Sequence, residues 1–370
     1  MRNFRLTVPV LLCLFALSCA THRPPVKTPT TPLRPPGKPV VTTEVRAVWV
    51  SETTKLDWDT ATRELQRTGF NTMYVNLASA GAALYPSSQT LPSVAGKFTG
   101  DPVARGIELA HRRGIAVQAK MVVMFSFRSP PEFQRKLLKS DRVMRGADGK
   151  PIVQSGSFWV CPTQPSNRET ALAEVKELLR RYPVDGVQFD YIRFNEEPSC
   201  FCKNCREDFE HALGKPVRHW PGDVLNGELR KRFNDWRQSV INDWAKQLSA
   251  TVRQARPGIR ITAAVFPALE RAREEKAQDW KFWLDHGYVD AICPMNYTTD
   301  ARDFEERCRN VLKFAPRGHV VMGLAEWKFQ RPEDLRRQVD LCRQLGLAGF
   351  ALFSYDDATE RHFLPAMELH

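Results

Sequence analysis

One carboxylate at the end of an apolar run is the feature of this chain that reads first as chemistry. The run is Val184-Asp185-Gly186-Val187-Gln188-Phe189-Asp190, and Tyr191-Ile192-Arg193-Phe194 follows it. Asp185 precedes the apolar stretch and suits a turn or a cap. Asp190 closes it, where a buried charge is expensive unless paired and desolvation favours the protonated form that a general acid needs. The competing reading of Asp190 is a structural ion pair with Arg193 or a neighbour. Other polar and aromatic residues end apolar runs in the same way: Trp49 and Glu52, Asn76, Lys120, Asn296 and Tyr297, Glu326 and Trp327, then Tyr355, Asp356 and Asp357. Aromatic rings stack on the apolar faces of sugar rings, and carboxylates supply proton transfer and nucleophilic attack, so this set is the equipment of a glycan site.

Those residues need a frame that gathers strand ends. Short β-rich apolar runs recur at residues 45–51, 72–78, 115–123, 186–194, 260–267, 291–297, 320–327 and 349–355. Amphipathic helical patterns separate them, at 60–68, 102–113, 168–181, 229–255, 277–285, 301–313 and 332–345. Continuous apolar strands alternating with helices imply a parallel sheet covered on both faces. Eight such units predict an α/β fold, a (β/α)8 TIM barrel in a single domain over residues 44–370. The rival, an open doubly wound sheet, usually carries a glycine-rich loop after its first strand. Here that strand runs into Ser51-Glu52-Thr53-Thr54. Insertions at 130–165 and 196–227 fall in strand-to-helix loops, on the face where barrels do chemistry.

At this point the sequence resembles a known family. Arg46-Ala47-Val48-Trp49-Val50, Trp159…Pro162…Pro165…Arg168, Val184-Asp185-Gly186…Asp190-Tyr191-Ile192-Arg193 and Gln278-Asp279-Trp280…Trp283-Leu284…Gly287…Asp290…Pro294…Tyr297 resemble the glycosyl hydrolase-like family ten. That bacterial group is related to a divisome-associated peptidoglycan glycan hydrolase. The resemblance implies a barrel hydrolase of bacterial glycans, a catalytic role for Asp190, and substrate contacts from Arg193, Asp279 and Tyr297. The family usually has a small residue where Glu326 stands, and usually an additional C-terminal module. The second carboxylate is therefore open among Glu326 on the seventh strand, the Asp356/Asp357 pair, Glu52, and the substrate's own N-acetyl group. The reading takes Glu326 as partner to Asp190. The strand-four segment is also faintly similar to the chitinase motif, but Ile192 stands where that motif has its acid glutamate.

Cys200-Phe201-Cys202-Lys203-Asn204-Cys205 offers three thiolates, which Cys161 or His211 could complete around zinc. A Cys200/Cys205 disulfide and free thiols are the alternatives. No metal or cofactor is assigned to the catalytic site, and the eight histidines show no ligand spacing. Arg2 and Arg5 before the apolar stretch 6–17 describe a secretory leader over 1–18. Ala16-Leu17-Ser18-Cys19 resembles a lipobox, which makes Cys19 the lipidated anchor. The seven prolines of residues 20–40 favour an extended tether, spanning 19–43. Ala20 after the cysteine points to the outer membrane, periplasmic side. The charge of +12 favours anionic partners, but it is spread over helix faces such as Arg230–Arg232 and Arg336–Arg337. The expectation is a monomer with a polysaccharide substrate and no nucleic acid.

Overall fold

The computed structural model describes residues 44–87, 100–195 and 199–367. The leader, Cys19 and the tether lie outside them. Eight parallel strands form the barrel: β1 Val45–Val50, β2 Thr72–Ser79, β3 Ala116–Val122, β4 Gly186–Asp190, β5 Arg260–Val265, β6 Ala291–Pro294, β7 Val321–Leu324 and β8 Gly349–Phe353. Neighbours pair in order from β1 to β6, and β8 lies between β7 and β1. Bridges Ile292–Val320 and Met295–Gly323 join β6 to β7 and nearly close the barrel. The outer ring is α1 Trp58–Arg67, α2 Pro102–Arg112, α3 Pro165–Arg181, α4 Arg230–Ala255, α5 Trp280–Asp285, α6 Ala301–Leu312, α7 Pro332–Gln344 and α8 Leu364–Met367. Among the described residues no helix is long and apolar enough to cross a membrane.

The alternation of side chains along each strand divides the core. Val48, Val50, Met73 and Val75 face the helices, whereas Ala47, Trp49, Tyr74, Cys293, Val321 and Ala351 fill the barrel interior. Full burial of a large apolar side chain contributes ~1.5–3 kcal/mol. A polar layer crosses this interior. The Trp49 indole N–H donates to Gln188, Gln188 Nε2 lies 3.4 Å from Thr262 Oγ1, and Thr262 Oγ1 donates to Gln118 Oε1 at 2.9 Å. Because these groups satisfy one another, burying them is affordable. Gly349 is required by the β1–β8 seam: its φ is +153°, and an added Cβ would sit 2.0 Å from the Val45 carbonyl oxygen.

The boundaries of three elements differ from those the patterns suggest, with β4 and β7 stopping earlier than their apolar runs. β4 ends at Asp190 because Tyr191 takes φ +56°. β7 ends at Leu324, and Glu326–Lys328 form a 3-10 turn. α1 starts at Trp58 because Asp57 caps the amides of Asp59 and Thr60. The insertions contain helices of their own, Pro131–Lys139 and Lys203–Leu213, and a further helix, Leu269–Lys276, precedes α5. Asp185 is the expected turn residue: its Oδ2 accepts from Val117 N at 2.8 Å and lies 2.8 Å from His111 Nε2.

Candidate active site

Asp190 ends β4 at the C-terminal mouth of the barrel and is buried. Its Oδ2 lies 3.0 Å from Lys120 Nζ on β3, and its Oδ1 accepts the Tyr191 amide at 2.8 Å. Lys120 is only 3% exposed, so the pair forms in low dielectric, where each charge needs the other. The ion-pair partner is thus Lys120, across the β3–β4 ladder, rather than Arg193. The left-handed conformation of Tyr191 costs on the order of 1–3 kcal/mol in a non-glycine residue. It folds the amide back onto Asp190 and turns the ring onto Phe125, with centroids 5.1 Å apart and planes at 19°.

An aromatic wall rises beside the pair. Trp159 packs on Tyr191 and Phe125, and the Arg193 guanidinium lies 4.6 Å from both the Trp159 and Tyr191 rings and 5.0 Å from that of Phe266. On the other side, Tyr297 stacks on Phe353 at 5.6 Å, and Lys120 Nζ lies 6.0 Å from the Phe353 ring. Burial raises the Tyr297 phenol well above its ordinary value, and the charged forms of Asp190 and Glu326 push the same way. Both carboxyls therefore act on one phenol.

Glu326 opens the turn after β7 and is 1% exposed. Its Oε1 accepts from Ser354 N at 3.0 Å and from Thr359 Oγ1 at 3.3 Å, while Oε2 is buried with no hydrogen-bond partner among the described residues. Burial pushes its pKa up to about 8, with the Asp356 charge adding to the rise. The two candidate carboxyls thus differ in kind: one is matched by an ammonium, the other is kept protonated. Environments that push two carboxyls apart are how acid and base roles separate.

The remaining expected residues divide. Asn76 is the register partner of Lys120, fully buried, and neither its amide oxygen nor its nitrogen has a partner among the described residues. Trp327 is 57% exposed on the rim, beneath Lys328. Trp49 lies inside the barrel, bonded to Gln188, below the mouth. Asp279 caps α5 through Phe282 N at 3.0 Å and pairs with Arg273 at 2.9 Å. Asn296 turns toward α6, donating to the Phe304 carbonyl at 3.0 Å. Tyr355 donates to Glu360, Asp356 caps the turn at Thr359, and Glu52 pairs with Arg128 and Lys55. Sequence reasoning did not single out Phe125, Phe127 or Phe353. The Phe125-Ser126-Phe127 pattern after β3 was the available signal. Cys161, Cys200, Cys202 and Cys205 converge behind the wall, their sulfurs all within 4.8 Å of one another.

A nearly closed eight-stranded parallel barrel with carboxyls at its C-terminal mouth is an enzyme architecture that glycoside hydrolases share with other chemistries. The chain belongs to the family glycosyl hydrolase-like 10, whose model matches residues 44–321. Glycosyl hydrolase DigH of Escherichia coli K12 is 25% identical over 421 residues, covering 92% of this chain and 91% of its own. Glycosyl hydrolase YngK of Bacillus subtilis is 22% identical over 369 residues, covering 85% of this chain and 68% of its own. Among solved structures, the glycoside hydrolase domain of PgaB (BpsB) from Bordetella bronchiseptica is similar with a TM-score of 0.69 at 16% identity, over 88% of this chain and 98% of that domain. The protein is a glycosidase, and its substrate is a polysaccharide.

Proposed function

We propose that the protein hydrolyses glycosidic bonds in a bacterial cell-envelope polysaccharide, the glycan strands of peptidoglycan, with Asp190 as its principal catalytic carboxylate. The observation that carries this reading is the carboxylate of Asp190 at the mouth of the barrel, held by Lys120 and the Tyr191 amide and flanked by Tyr297. A carboxylate whose charge is matched in this way suits attack on the anomeric carbon, or orientation of the substrate's N-acetyl group, better than proton donation. Glu326, kept protonated, is the partner that donates the proton to the departing oxygen. The half-buried ring of Tyr191 and the exposed rim residue Trp327 supply sugar-stacking faces, while the buried rings of Phe125 and Trp159 back Tyr191 and Arg193 braces them. In this proposal the domain works at the periplasmic face of the outer membrane as a monomer, anchored by lipid on Cys19.

The test is digestion of purified peptidoglycan, with and without stem peptides, and identification of the products by mass. Wild type should release glycan fragments, and Asp190→Asn should lose about 10⁴-fold or more in turnover, measured where the variant is shown by circular dichroism to be folded, since it also leaves the buried Lys120 ammonium unpaired. Undiminished turnover by Asp190→Asn ends the assignment. Glycan binding with no turnover by wild type favours a glycan-binding lipoprotein that uses the same groove.

A further inference from the structure

We propose that Cys161, Cys200, Cys202 and Cys205 form a structural zinc site that clamps the two long loops flanking Asp190. The four cysteines are buried and their sulfurs lie within 4.8 Å of one another. Cys161 Sγ is 3.5 Å from the sulfurs of both Cys202 and Cys205. Zinc binds thiolates at about 2.3 Å, so the sulfurs of a tetrahedral site stand about 3.8 Å apart. The cluster therefore already has the size of the coordination shell. Soft thiolate ligands in a tetrahedron select zinc among the common divalent ions.

The surroundings fit a thiolate cluster. The Arg145 amide lies 3.2 Å from Cys200 Sγ, and the Cys205 amide lies 3.4 Å from Cys202 Sγ. The Thr163 hydroxyl is 3.2 Å from Cys161 Sγ and 3.3 Å from Cys205 Sγ. Such outer hydrogen bonds hold ligands in place and offset the negative charge that four thiolates around a dication retain. Disulfides would group the sulfurs in pairs at about 2.05 Å, whereas here one sulfur stands equally far from two others. His211, the other candidate fourth ligand, is not a member of the cluster.

The ligands come from both insertions. Cys161 belongs to the loop after β3, and the other three to the loop after β4. Phe201 N donates to the Arg145 carbonyl at 2.9 Å beside the cluster, so the two loops are already joined there. Two residues before Cys161 stands Trp159, whose ring lies against Tyr191 and Arg193. The ion thus fixes the back of the aromatic wall without touching the reacting atoms. Closing a contact between loops so distant in sequence is where a metal clip stabilises most.

The full-length protein, purified without chelator from zinc-supplemented cells, should contain about one zinc per chain by elemental analysis. A mercurial that titrates the thiols should release that zinc to a colorimetric chelator. Cobalt exchanged into the site should show the absorption of a tetrahedral tetrathiolate. Cys161→Ser and Cys205→Ser should lose the metal, while Cys342→Ser, outside the cluster, should keep it. If the serine variants fail to fold, the wild-type measurements still decide. Zinc far below one per chain, iron in its place, a cobalt spectrum without thiolate bands, or a disulfide mapped by peptide mass to Cys161, Cys200, Cys202 or Cys205 would each overturn the proposal.

Discussion

Replacing Glu326 with Gln tests the environment of that carboxyl directly. Gln keeps the oxygen that accepts from Ser354 N and Thr359 Oγ1, keeps the shape, and removes the ionisable proton. In the folded protein the carboxyl stays protonated up to about pH 8 instead of its ordinary 4.5. Below about pH 4.5 folded and unfolded chains both hold the proton, so burial carries no ionisation penalty and the contribution to stability is fully present. Between there and about pH 8 the unfolded chain releases the proton and the folded chain does not, so stability falls as pH rises. Above about 8 that contribution is gone. At ~1.4 kcal/mol per unit, a rise from 4.5 to about 8 corresponds to a ceiling of about 5 kcal/mol. Glu174 on α3, lifted to about 8 by burial and by Glu177, adds a similar fall of its own, so the informative quantity is the difference between variant and wild type. Urea denaturation from pH 5 to pH 9 should show Glu326→Gln gaining on wild type by up to that amount. If Glu326 is also the proton donor, its kcat should drop by about 10²–10⁴ and the alkaline limb of the wild-type pH–rate profile should lie near 8. A stability difference that does not change with pH would refute the reasoning. Full activity alongside the predicted stability change would move the second role to Asp356, Asp357 or the substrate's N-acetyl group.

Lys120→Met should strand the buried Asp190 carboxylate and cost about 3–5 kcal/mol of folding stability, with partial recovery in Lys120→Met/Asp190→Asn; equal stability of single variant and wild type in urea would exclude a strong pair. Trp327→Ala should raise KM by about 3–10-fold, the worth of one stacking contact, while shifting stability by less than ~0.5 kcal/mol because the ring is exposed. An unchanged KM would remove Trp327 from the substrate path. Cys19→Ala should move the protein from the membrane to the soluble fraction on cell fractionation, and a variant that stays membrane-bound without lipid label would refute the anchor.

Much of the fold is legible in the chain because it is local. Continuous apolar runs and helices with period 3.6 depend on neighbours within one element, and a glycine after a helix marks where the helix ends. That is why eight units, their order and the two large loops can be read without coordinates, and why Asp190 and Tyr297 stand out at strand ends. Where a strand stops is less legible, since an apolar run reads the same in a strand and in a buried turn; Glu326 and Trp327 sit in such a turn, not in β7. Which polar residues meet was decided only by closure of the barrel. Lys120 and Asp190 are 70 residues apart, and adjacency in the sheet, not sequence, brings them to 3.0 Å. The same packing turned Asn296 toward α6 and left Asn76 buried with an unpartnered amide, whereas Asp279 caps α5 through a local contact with Phe282 N. Cys161 joins a cluster 41 residues further on because two loops fold over one face of the barrel. Patterning fixes elements within one turn of chain, whereas charge pairing and ligand geometry depend on distances that exist only after the elements have packed.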